Sequence, residues 1–328
     1  MILCALASLR LRIFPTFALG KKQCSMGLMK KLIDSYSTDY VSFSYFRFIF
    51  YSVTLYFYLF INNIFSSWGP VDSNFWQPIS FFKYFSYSFV ISANPHVLYW
   101  IFTVSMSFCA IGLFFRFSSV VSFLVFLFAA GLPCNFGKIH HSNHMTAVLL
   151  GLLCLVPVGK ASVDSFFQNS NSDDNANKKI WAWFFFTVTA YMALVYGSAG
   201  LQKLRNTGWS WTSNESMVAI ILTRPTVTPF GVWVAQSDWL GGIIAKYALL
   251  LEFFAPLAIF LKNPKRVFYG FLLFMLHQGM YWTLGDHGAF FPYQICFLAW
   301  VPWSSIHFQI NAMFGFFRTR LNVQEKLR

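Results

Sequence analysis

The sequence predicts an all-α fold: a polytopic membrane bundle of about eight transmembrane helices, with short interfacial helices and both termini cytoplasmic. Three observations lead there. Of the 328 residues, 57% are hydrophobic and only 11% are charged, with a mean hydropathy of +0.54. That leaves too little charge to cover a soluble domain of this size. The apolar residues also fall in blocks long enough to cross a bilayer, whereas a membrane β-barrel would show short alternating segments. Aromatic residues make up 21% of the chain, including 42 Phe, which suits lipid-facing surfaces and interfacial belts.

The elements follow in order. Residues 1–33 read as an N-terminal cytoplasmic segment. Arg10 and Arg12 break its apolar run, a poor fit to a cleaved signal peptide, and Met26 or Met29 is an equally plausible start. The membrane domain is expected over 34–303. Its apolar runs lie at about 44–65, 93–115, 117–133, 144–158, 180–202, 240–261, 267–284 and 289–303. The third, fourth and eighth are short, so tilt or partial embedding is expected. "NSNSDDNANKK" (169–179) reads as a polar linker. "NTGWSWTSNESMVAIILTRPTVTPFGVWVAQSDWLGG" (206–242) is a Trp-rich connection expected to form one or two short helices in the interface. Residues 304–328 form a basic, amphipathic tail.

Charge placement sets the orientation. With the N-terminus inside, 17 of the 24 Lys and Arg fall on the cytoplasmic side. Five fall outside (Lys83, Lys138, Lys203, Arg205 and Arg224), while Arg47 and Lys246 lie within spans. The net charge of +13 therefore reflects loops beside apolar spans and not a nucleic-acid surface. The six Cys show no CxxC spacing, and most sit in apolar runs as small hydrophobes. This orientation gathers "CNFGKIHHSNH" (134–144), the end of span five, the Trp-rich segment and "GDHG" (285–288) at the non-cytoplasmic face.

Four polar features stand out there. Lys203 shares a helix face with Tyr196 and Gly200, and the small residues Gly197, Ser198, Ala199 and Gly200 let another backbone approach closely. Lys203 is either a side chain snorkelling to the headgroups or an amine kept from water and able to act as a base. His140, His141 and His144 are interfacial hydrogen bonders, proton carriers or, least favoured, zinc ligands. Zinc would need three or four ligands, and no HExxH or helpful Cys is present. No metal is expected. Glu252 and His277 lie near the middle of spans six and seven, where ionisable groups are costly unless paired or hydrated. They either pair with each other to tie two helices together or form the polar floor of a cavity opening outward. Lys246, six residues from Glu252, points to another face.

The residues carry a resemblance. "YGSAGLQKLRNTGWSW" is similar to the signature of the horizontally transferred transmembrane domain (HTTM) family, which includes bacterial proteins and the membrane domain of vitamin K-dependent γ-carboxylases. "YFRFIFYS" (45–52), "FRFSSVVSFLVFLFAAGLP" (115–133), "NHMTAVLLGLLCLVPVGKASVDSF" (143–166) and "LLEFFAPLAIFL" with "LHQGMYWTLGDHGAF" resemble other family spans, in the family's order. The resemblance implies a multi-pass protein of a bacterial inner membrane, with its polar site on the periplasmic face. It implies a reduced, vitamin K-type hydroquinone as cofactor, with O2 and CO2 if the chemistry is carboxylase-like. Lys203 would be the base that deprotonates the quinol, with His144 near it. Tyr196, Gly200, Trp209, His140, His141, Glu252 and His277 would form the binding surroundings. The partners implied are membrane lipid and a lipid-soluble quinone, with no nucleic acid. Two departures weaken glutamate carboxylation relative to quinol chemistry. Gln202 stands where the animal enzymes have a second lysine, and the sequence stops soon after its last span, short of the large lumenal region tied to propeptide recognition. The competing expectations are a non-catalytic binding or scaffold protein that keeps the fold, and a transporter, for which no inverted repeat is visible.

Overall fold

The computed structural model describes residues 29–36, 40–66, 72–136, 143–158, 162–163, 174–224, 227–285, 287–303 and 305–306. Residues 29–34 are helical, and eleven α-helices follow between Tyr40 and Cys296. They are α1 (Tyr40–Tyr56), α2 (Tyr87–Ser92), α3 (Pro95–Ile111), α4 (Phe115–Gly131), α5 (His144–Leu153), α6 (Asp174–Thr207), α7 (Asn214–Leu222), α8 (Pro229–Gln236), α9 (Leu240–Phe254), α10 (Asn263–Leu284) and α11 (His287–Cys296). No strand occurs among the described residues.

Every apolar run of the sequence is at least partly helical. Among the described residues, four continuous helical stretches are long and apolar enough to cross a bilayer: Ser42–Ile61, Phe115–Asn135, Asn177–Thr212 and Leu240–Phe260. Pro95–Ile111 and His144–Leu153 are apolar but shorter. At 1.5 Å per residue, the ten residues of α5 reach only about 15 Å, half of a hydrocarbon core. The expected polar linker ends earlier than its composition suggests, because residues 174–179 belong to α6. A helix that satisfies its own backbone can run on into water through Asn and Lys without loss.

Local chemistry sets the boundaries. Asn94 accepts from the His96 N–H and Pro95 opens α3, while Gly112 closes it at φ +73°. Thr228 accepts from the Gly231 N–H ahead of Pro229 to start α8. Pro256 has no N–H to continue α9, which tightens into a 3₁₀ turn over Ala255–Phe260. α1 ends in a π-turn, Phe57–Ile61. The Trp-rich connection forms the two short helices α7 and α8, preceded by a 3₁₀ turn at Gly208–Thr212.

The core is aromatic. Phe43, Phe46, Phe50 and Phe57 of the first span and Trp181 of α6 are fully or almost fully buried. Phe43 stacks on Trp181 at 5.4 Å, and Phe57 stacks on Phe291 at 4.5 Å. Arg47 is buried in α1. Its guanidinium lies 5.6 Å from the Phe115 ring and against Gly112, where an added Cβ would come within 2.7 Å of Nη1.

The contact that positions the site is between α6 and α9. A Cβ on Gly200 would lie 2.5 Å from the Phe253 nitrogen and 2.8 Å from its Cα; one on Gly197 would lie 2.6 Å from Pro256 Cγ. The small residues of "GSAG" thus let the backbone of α9 approach closely, as expected. Gly279 in α10 faces open space. Gly200→Ala is therefore expected to destabilise the protein by about 1–3 kcal/mol through overpacking. Gly279→Ala should be neutral or stabilising by up to ~1 kcal/mol. Equal losses in an unfolding measurement would remove the close contact from the account.

Candidate functional site

One turn beyond Gly200, α6 carries Lys203 over α9. There Lys203 Nζ forms an ion pair with Glu252 Oε2, the two side chains being 25% and 9% exposed. Gly208 adopts φ +63°, a conformation that only glycine takes up without strain. The chain turns there and brings Trp211 back over the lysine, with Nζ 4.3 Å from the indole centroid, within cation–π range. The ammonium is thus held by a carboxylate from one element and an aromatic face from another.

This pair borders a cavity of about 280 Å³. Met217 and Ile220 of α7, Phe230 of α8, Ile244, Tyr247 and Ala248 of α9, and residues of α10 from Met275 to Leu284, among them Gly279, Met280 and Trp282, form the rest of the wall. The lining is almost entirely apolar apart from the ion pair. The Tyr247 hydroxyl is engaged, donating to Leu272 O at 3.0 Å.

A second cluster lies deeper along the same helix. Tyr196 OH and His277 Nε2 are 2.5 Å apart, and both side chains are buried. His277 stacks on Tyr293 with ring centroids 5.4 Å apart and planes 11° from parallel. His144 meets the same Tyr293 edge-on at 5.7 Å, and Tyr191 at 6.1 Å. The cluster ties α5, α6, α10 and α11 together.

Several expectations change here. Of the two expectations for Glu252 and His277, pairing with each other is not met: Glu252 is paired with Lys203 at the cavity, and His277 is bonded to Tyr196. Gly200 serves the α6–α9 contact and does not line the cavity. Tyr196 and His144 belong to the second cluster. Trp209 is 67% exposed, and its place against the lysine is taken by Trp211, two residues on. His140 and His141 lie outside the described residues. Trp211, Tyr293 and the α7 side chains Met217 and Ile220 were not anticipated. Among the described residues, no group of three or more His, Cys, Asp or Glu is placed to hold a metal ion.

A family model described as the HTTM domain matches residues 36–304. The chain belongs to the HTTM domain family. Searches of curated proteins and of solved structures gave no significant match. With its apolar helices, this HTTM domain is a membrane protein. It carries its ion pair at the end of α6, beside the short helices α7 and α8. A larger hollow of about 430 Å³ between α3 and α4, lined by Trp100, Ile101, Phe114 and Phe117 among others, has no ionisable residue in its wall. It can hold an apolar chain but offers no group for proton transfer.

Removing one partner of a buried ion pair costs about 3–5 kcal/mol, because the other is left charged and uncompensated. Lys203→Met and Glu252→Gln should each destabilise the protein, toward the low end of that range given the partial exposure of Lys203. The double variant should recover part of the loss, with a coupling of roughly 0.5–3 kcal/mol in a denaturant-unfolding cycle. Strictly additive losses would mean that the contact carries no energy.

Proposed function

We propose that this protein is a membrane enzyme that binds a lipid-soluble hydroquinone in the Lys203–Glu252 cavity and removes its hydroxyl proton. The observation that carries this reading is an ion pair set in an otherwise apolar cavity. Apolar walls with a few convergent polar groups are the usual make-up of a small-molecule site. At about 280 Å³, the cavity lies just below the usual range of roughly 300–1,000 Å³. That suits a flat ring, with an alkyl chain left in lipid. Trp211, Phe230 and Trp282 supply aromatic walls for the ring.

The hydroquinone, with O2 and CO2 as co-reactants, enters this reading through the family resemblance. When bound, it supplies the redox chemistry. The chain's own groups bind it, exclude water and manage its proton. Glutamate carboxylation is one possible outcome of such chemistry, and a simple quinol oxygenation is another. The Lys and Arg distribution of the sequence supports a cavity opening on the non-cytoplasmic face, which in a bacterial inner membrane is the periplasmic one. The His144–Tyr293–His277–Tyr196 cluster, with Tyr196 and His277 buried, lies beside the cavity as a polar support for α6.

Mass spectrometry of lipids co-purified with the protein should identify a bound quinone. In a hydroquinone-oxidation assay with the purified protein, Lys203→Ala should lower turnover by about 10²–10⁴-fold, the usual contribution of a positioned acid–base group. Wild-type turnover in Lys203→Ala, or no hydroquinone oxidation by the intact protein, would overturn the proposal.

A further inference from the structure

Glycine is the poorest helix former apart from proline, so a glycine inside a helix calls for a local reason. Among the described glycines those reasons are visible. Gly112, Gly208 and Gly285 have φ between +63° and +73°. At Gly131, Gly197, Gly200, Gly231, Gly241 and Gly270 a Cβ would come within 2.9 Å of another atom, and at Gly151 and Gly242 it would meet one at 3.1 and 3.4 Å. Among the described glycines, Gly279 alone has neither reason. It lies inside α10 without a positive φ, and a Cβ there would meet nothing within 4 Å. We infer that Gly279 is the specificity-determining position of the Lys203–Glu252 cavity, its missing side chain leaving a notch that receives the hydrocarbon edge of the ligand's ring. The inference rests on the reading of the cavity as a hydroquinone site.

One face of α10 places the notch. Met275, Leu276, Gly279, Trp282 and Thr283 all line the cavity, and their three- and four-residue spacing puts them on the same face of the helix. Gly279 is thus a gap in that face, with Met275 and Leu276 one turn before it and Trp282 and Thr283 one turn after it. A helical side chain covers the turn N-terminal to its own Cα. Any side chain at position 279 would therefore lie along the cavity wall toward Met275 and Leu276. A cavity of about 280 Å³ has little room to give up, so the space of one side chain decides how large a ring it admits.

The chemistry of the notch decides which part of the ligand it takes. Bare backbone at a glycine could offer a carbonyl to a hydroxyl group. Here the Gly279 carbonyl already accepts from the Thr283 hydroxyl at 2.6 Å, and α10 continues to Leu284, so the helix bonds of this turn are kept. The flanking Met275, Leu276 and Met280 are apolar. The charged groups of the wall, Lys203 and Glu252, come from α6 and α9 instead. A hydroquinone meets both demands at once, with a hydroxyl toward the ion pair and its hydrocarbon edge, a ring substituent or a fused second ring, in the notch. One methylene more or less in an apolar pocket changes discrimination by about 10–200-fold. Gly279 therefore discriminates by the size of that edge and leaves recognition of the hydroxyl to the ion pair.

The test measures equilibrium binding of two probes that share one alkyl tail, a benzohydroquinone and the larger, fused-ring naphthohydroquinone. It uses the full-length protein in lipid nanodiscs, without oxygen. The wild type should bind both. Gly279→Leu should bind the naphthohydroquinone at least tenfold more weakly, with a smaller loss for the benzohydroquinone. Gly279→Ala, which enters open space, should show a smaller loss in the same order. Wild-type affinity for the naphthohydroquinone in folded Gly279→Leu, or equal losses for the two probes, would overturn the assignment of Gly279. If the leucine variant does not fold, wild-type affinity for the naphthohydroquinone in Gly279→Ala would overturn it. Failure of the wild type to bind either probe would instead overturn the reading of the cavity, and the inference with it.

Discussion

The approach of α6 to α9 at Gly200 is the constraint on which the site depends. With no side chain at that position, the helix backbone meets Phe253 and the Glu252 carbonyl carbon directly. One turn further, the same closeness places Lys203 against Glu252. A lone charge at such a position would be expensive, and a charged pair is tolerable only when its geometry is held. The glycine face, the proline-terminated α9 and the ion pair are thus parts of one arrangement. Widening the helix gap would separate the charges.

The cavity is made by what surrounds that pair. α6 ends at Gly208, whose left-handed conformation returns the chain and lays Trp211 over the ammonium. α7 and α8 then cover the opening with Met217, Ile220 and Phe230, while α9 and α10 supply the remaining wall. α8 is anchored to the end of α10, since the Thr228 hydroxyl donates to Trp282 O. The exposed Trp209, Trp233 and Trp239 face outward from this region, as aromatic residues do at a membrane interface. The cavity therefore adjoins the surface through which a lipid-soluble molecule would arrive.

Much of this was legible in the sequence. Apolar runs longer than a dozen residues located the main helices, because span length and backbone satisfaction leave few alternatives in a membrane. The run of small residues before Lys203 announced a close helix contact, and its i, i+3 and i+4 spacing put Gly200 and Lys203 on one face. Partner choice was not legible. Glu252 and His277 are at similar depth on adjacent spans, but depth does not give the rotation of one helix against another. The α6–α9 contact rotates Glu252 toward Lys203, leaving His277 to Tyr196 and the Tyr293 ring. Trp209 and Trp211 could not be told apart either, since a positive φ at Gly208 decides which indole turns back. The break at Pro256 within the expected 240–261 run, and the packing of its 3₁₀ turn on Gly197, depend on the tertiary contact.

Photo-crosslinking with a diazirine-bearing alkyl hydroquinone tests the central claim most directly: that the Lys203–Glu252 cavity is where the ligand sits. Adducts mapped by mass spectrometry should fall on Trp211, Met217 and Met280 and should be lost when unlabelled hydroquinone is in excess. Adducts confined to Trp100 and Phe117 in the hollow between α3 and α4, or spread over the lipid-facing surface without competition, would contradict it.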